Sequence, residues 1–215
     1  MSNKSVVVYA AIPFFAGMSF FAGSAPAQIR SNVIAATGTS APAGGIFQSF
    51  LSVSTNSGGQ LGFLAGLTGT SNSGIFVLDR STISAVALAG NAGMGVPNFL
   101  ALGAPTITAN GDVLFTTDTG LFLGRAGRLA PVVRNGDTFP GVGSLTPASF
   151  AVDANGNVFV ADTSNNAVKE ILAPGYTTVK TLSSEFNGPQ GVAVDSHGNV
   201  FVADTYNRAV KVIVR

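Results

Sequence analysis

Short apolar runs recur along this chain, each closed by Gly, Asn, Asp or Ser. Runs such as "VLFTT" (113–117), "VFVAD" (158–162) and a second "VFVAD" (200–204) have the length and the turn punctuation of β-strands. Two of the runs sit inside a near-duplication. "DANGNVFVADTSNNAVKEIL" (153–172) is followed 42 residues later by "DSHGNVFVADTYNRAVKVIV" (195–214). Near-identity at a fixed spacing is the mark of a repeat architecture. Weaker copies lie upstream in "TITANGDVLFTTDTGLFL" (106–123) and "SVSTNSGGQLGFLAGL" (52–67), so Gly59, Gly111, Gly156 and Gly198 mark four units, spaced 52, 45 and 42 residues apart.

Each unit holds more than a hairpin. "AVKEIL" (167–172) and "AVKVIV" (209–214) alternate apolar and polar residues with the period of a half-buried strand, which sends Glu170 outward. A fourth run follows in "ISAVALAG" (83–90), "LAPVVRNG" (129–136) and "TTVKTLSS" (177–184). Four short strands in about 45 residues, the first two joined by a tight Asn-Gly or Gly-Gly turn, make one blade of a β-propeller. The expected fold is all-β, with blades at about 45–90, 96–136, 147–184 and 188–215.

The residues "GPQGVAVDSHGNVFVADTYNRAVKVIV" (188–214) resemble an NHL repeat from the Pro-x-Gly-Val-Ala-Val-Asp opening to the Asn-Arg-x-Val-Lys-Val close. The unit at 147–172 resembles it too, with Asn165 and Asn166 where the last unit has Asn207 and Arg208. For the first two units the resemblance implies only a divergent blade. NHL propellers generally have six blades, against four units here. The last unit ends at Arg215 after its third strand, while "SNVIAATGTSAPAGG" (31–45) resembles "LAPVVRNGDTFPGVG" (129–143), a fourth strand with its exit loop. Three readings follow. Residues 31–38 complete the last blade, Asn32–Thr37 pairing with Val210–Val214 to close a monomeric ring, or the chain is an open arc that dimerises, or a gene fragment. The closed ring is favoured because bare strand edges invite association.

Composition narrows the function. "MSNKS", the uncharged stretch 6–23 and the Ala25-x-Ala27 site read as a signal peptide over residues 1–27, leaving 28–215 as a secreted or periplasmic propeller free of the membrane. The alternative is an uncleaved anchor. There is no Cys, so neither disulfides nor a thiol nucleophile arise. Removing Lys4 leaves 11 − 1 = 10 basic side chains against 10 acidic ones, scattered singly, which gives no basic stripe for nucleic acid.

The only histidine, His197, replaces Asn155 in an otherwise matching tight turn, so it reads as an exposed turn residue and leaves no triad or multi-histidine zinc site. Asp153, Asp195, Asn155 and Asn110 flank turn glycines, where such side chains bond their own backbone. No catalytic or metal-binding residue is assigned. The longest loops, 38–46, 66–74, 90–98, 137–144, 162–167, 185–190 and 204–209, fall on one face, where binding residues usually reside. On it lie Asp162, Asn165, Asn166, Asp204, Tyr206, Asn207 and Arg208 as candidate ligand contacts, with turn bracing the competing role of the two aspartates. The favoured reading is a non-enzymatic binding or scaffold module for a protein, peptide or glycan, with no cofactor. The alternative is a metal-dependent hydrolase or lyase of the gluconolactonase-like propeller type, holding calcium through carboxylate and amide oxygens.

Overall fold

The computed structural model describes residues 32–215 except 43, 70, 91–98, 126–127, 141 and 146–148. The expected signal peptide at 1–27 lies outside the described residues. Among those described, no helix is long and apolar enough to cross a membrane.

Four antiparallel sheets follow one another along the chain. The first runs β1 (Ile46–Thr55), β2 (Leu61–Thr68), β3 (Ser73–Asp79) and β4 (Thr82–Leu88), and the second β5 (Thr106–Ile107), β6 (Val113–Thr117), β7 (Gly120–Arg125) and β8 (Arg128–Arg134). A small hairpin, β9 (Thr138–Phe139) and β10 (Gly143–Ser144), leads to the third sheet: β11 (Ser149–Val152), β12 (Val158–Asp162), β13 (Ala167–Ile171) and β14 (Val179–Ser183). The fourth has three strands, β15 (Pro189–Val194), β16 (Val200–Asp204) and β17 (Ala209–Ile213). Tight turns join the first two strands of the later units. At Gly156 and Gly198, φ is +85° and +86°, a region that side chains with a Cβ resist.

Because strand side chains alternate between faces, the second and third sheets each bury one face against the sheet before and the other against the sheet after. Leu64, Ile75 and Val86 of the first sheet pack on Val113, Phe115 and Phe122 of the second. Leu114, Leu121 and Val133 pack on Val158, Val160 and Ile171 of the third. Phe159 and Val168 then pack on Val200 and Val202 of the fourth. The first sheet's other face, with Phe47, Leu61, Phe63 and Phe76, is covered in part by Ala35 and Ala41. No core cluster of the described residues joins the fourth sheet to the first.

The expected ring closure is therefore not formed. Asn32–Thr37 does not pair with Val210–Val214: it lies beside the first sheet, and among the described residues β17 pairs only with β16. The consequence is visible in two identical pentapeptides. "VFVAD" in β12 is buried at all five positions, whereas in β16 burial alternates with exposure. Phe159 is 0% exposed and its counterpart Phe201 is 41%; Val168 is 0% and its counterpart Val210 is 79%. The sequence is the same and the missing neighbour makes the difference. A second expectation is also corrected. Glu170 is buried, because β13 has a sheet on both faces and Arg215 reaches its carboxylate through two hydrogen bonds of 2.8 and 2.7 Å.

Candidate binding face

The candidate contacts lie on two copies of one device. After β12 and after β16 the chain makes a single 3-10 turn, Thr163–Asn165 and Thr205–Asn207, each ended by a residue in the left-handed region: Asn166 (φ 53°) and Arg208 (φ 53°). Asp162 is fully buried, and its carboxylate takes Lys169 Nζ at 2.5 Å and Asn165 Nδ2 at 2.8 Å. Lys169 is 1% exposed and also donates to the carbonyls of Val142 and Ser144 at 3.0 and 3.1 Å. The same offsets recur in the last unit. Asp204 accepts from Lys211 Nζ (2.6 Å), Asn207 Nδ2 (2.8 Å) and the Asn187 N–H (2.6 Å), and Lys211 donates to the Glu185 carbonyl at 2.8 Å.

Burial alone would push the Asp204 carboxyl upward. The hydrogen bonds from Lys211, Asn187 and Asn207, with the lysine charge, outweigh burial and hold it at about 2. Asp195 is lowered too, chiefly by the hydrogen bond from Asn199, helped by the N–H groups of Asn199 and His197. These are Asx turns, matched in the third unit by Asp153, which accepts from the N–H groups of Asn155 and Asn157, each at 2.9 Å. His197 is exposed on its turn, as its place in the sequence implies.

The candidate residues thus divide. Asp162, Asn165, Asp204 and Asn207 spend their polar atoms holding the turns to the loops that enter their own sheets. Asn166 ties the third sheet to the fourth, its Oδ1 accepting from the Gly188 N–H at 2.8 Å. Tyr206 is 66% exposed, its ring lying against Gly188, and Arg208 is exposed beside it. Sequence reasoning missed Lys169 and Lys211, although Asp-x-x-Asn followed by Lys four residues on recurs in both units. The recurrence was the available signal. Among the described residues, no group of three or more His, Asp or Glu side chains converges as metal ligands would.

Comparison with known proteins agrees with this geometry. The chain is similar in structure to a catalytically inactive virginiamycin B lyase from Staphylococcus aureus with quinupristin, at TM-score 0.53 and 15% identity, covering 78% of this chain and 53% of that one. It is similar also to a streptogramin B lyase, at TM-score 0.51 and 14% identity, covering 79% and 52%. At such identities the likeness is one of fold, and the chain spans about half the length of these neighbours. No curated protein matches in sequence. The NHL repeat model matches residues 145–171 and 186–213, so the two C-terminal units of this propeller-like chain are NHL repeats.

Proposed function

We propose that this chain is an exported, non-enzymatic binding module that takes a protein, peptide or glycan partner on its long-loop face. The observation carrying this reading is the contrast within the last turn: Asp204, Asn207 and Lys211 lock the backbone, while Tyr206 and Arg208 stand in solvent on that fixed support. Exposed Tyr and Arg on a rigid scaffold are the residue types that dominate binding hot spots. A gluconolactonase-like metal site would need several carboxylate and amide oxygens free to converge, and the aspartates and asparagines of this face support the bracing role instead.

The test presents the full chain to a glycan array and to a displayed random-peptide library, alongside a Tyr206→Ala, Arg208→Ala variant. The expected result is a recognised ligand whose affinity falls at least about tenfold in the variant at unchanged melting temperature. Equal binding by both proteins, or none by either, overturns it. Export belongs to the same proposal. N-terminal sequencing of extracytoplasmic material should find Gln28 first, and Met1 would contradict it.

A further inference from the structure

The two ends of the arc are unlike, and each lacks what the other has. At the C-terminal end, Phe201, Val210, Val212 and Val214 form an exposed apolar face beside the unpaired edge of β17. In the third unit the equivalent face is covered by the next sheet, and the equivalent edge, that of β13, is paired with a fourth strand. Among the described residues, the fourth sheet has neither.

The N-terminal end holds both. Within the chain, a fourth strand leads to the next sheet through a recurring loop. The Gly90 N–H, two residues after β4, donates to the Phe99 carbonyl at 2.9 Å, and the Gly136 N–H, two residues after β8, donates to the Leu145 carbonyl at 3.2 Å. The Gly38 N–H donates to the Phe47 carbonyl, also nine residues on, at 2.8 Å. Asn32–Ala36, though it forms no strand with the described residues, therefore stands where a fourth strand would lead into the first sheet, and Ala35 packs on that sheet much as Val86 of β4 packs on the second. Beside it runs an apolar groove lined by Ile34, Ala35, Phe50, Val53, Leu61 and Phe63, on the face that would meet a preceding sheet.

We propose that two copies of this chain join end to end, the β17 edge of each taking Asn32–Ala36 of the other as its fourth strand. The Phe201, Val210 and Val212 face of one copy then covers the Phe50, Val53 and Phe63 groove of its partner. The occupant is a second copy because the interface already exists once per repeat inside the chain, where Phe159 and Val168 meet Val200 and Val202. A head-to-tail contact made twice around a two-fold axis closes and leaves no edge.

The chain has no Cys, so single cysteines can be placed without background. Light scattering on the exported chain should give twice the mass of one copy. With a short bis-maleimide, a Val53→Cys chain mixed with a Val212→Cys chain should form a covalent pair, while each alone should not. A monomer, including one whose own N-terminal strand covers β17, overturns the proposal. So does a Val212→Cys chain that couples to itself, which is a tail-to-tail contact, and so do open polymers. Because Val53 and Val212 are already half-exposed, the substitutions leave the packing intact, and light scattering on the unaltered chain decides the matter independently.

Discussion

Lys169 carries a positive charge into a site with almost no access to water, and Asp162 is the anion beside it. Replacing Asp162 by Asn keeps the shape and removes that charge. The two carbonyls at 3.0 and 3.1 Å still accept from Lys169, yet they neutralise only part of a buried ammonium. Breaking a buried ion pair by removing one partner costs about 3–5 kcal/mol, a large share of the roughly 5–15 kcal/mol holding a typical domain folded. For a chain of this size, melting should fall by about 6–20 °C, at about 2–4 °C per kcal/mol. The equivalent Asp204→Asn should cost less, because Lys211 is 40% exposed and stays hydrated. Calorimetry and urea unfolding of Asp162→Asn, Lys169→Met and the double variant read the coupling directly. Charge removal from both sides should recover more than half the loss, since neutral replacements of buried pairs are often tolerated. An Asp162→Asn variant within about 0.5 kcal/mol of the parent, or a double variant no better than the single, refutes the reasoning.

Asp204 sits at about 2 against an ordinary 3.8, so its charged form binds fewer protons when folded than when unfolded. Its contribution is complete above pH about 4 and is lost as pH falls toward 2; melting curves across that window should slope less in Asp204→Asn, and equal slopes would contradict the assignment. Asn166 occupies the left-handed region and bonds Gly188, so Asn166→Val should destabilise by about 2 kcal/mol through backbone strain and the lost link, whereas Arg208→Asn should be neutral or stabilising by up to about 1 kcal/mol. Urea titrations of both variants check the signs.

The strand grammar was legible in the sequence because turn glycines and apolar runs are local signals, and the four sheets lie where those runs fall. The exposed His197 turn and the Asp153 and Asp195 turns were legible for the same reason. Burial was not. Period-2 alternation in "AVKEIL" marks one wet face, yet Lys169 and Glu170 are both buried, since their counter-charges come from Asp162 on the neighbouring strand and from Arg215, 45 residues away. The likeness of residues 31–45 to a fourth strand and its exit loop held for the loop, which the Gly38 hydrogen bond closes on Phe47, whereas Asn32–Thr37 forms no strand with the described residues. What failed was its partner. Local pattern identifies a strand that needs a sheet and says nothing of which sheet lies within reach.

The two copies of "VFVAD" differ in exposure because β12 has a sheet on both faces while β16, among the described residues, has one. Hydroxyl-radical footprinting of Phe159 and Phe201, at dilutions where light scattering reports single chains, tests it directly. Phe159 should be protected and Phe201 modified, with Phe201 becoming protected as the two-copy mass appears. Equal protection of both phenylalanines in the single chain would contradict it.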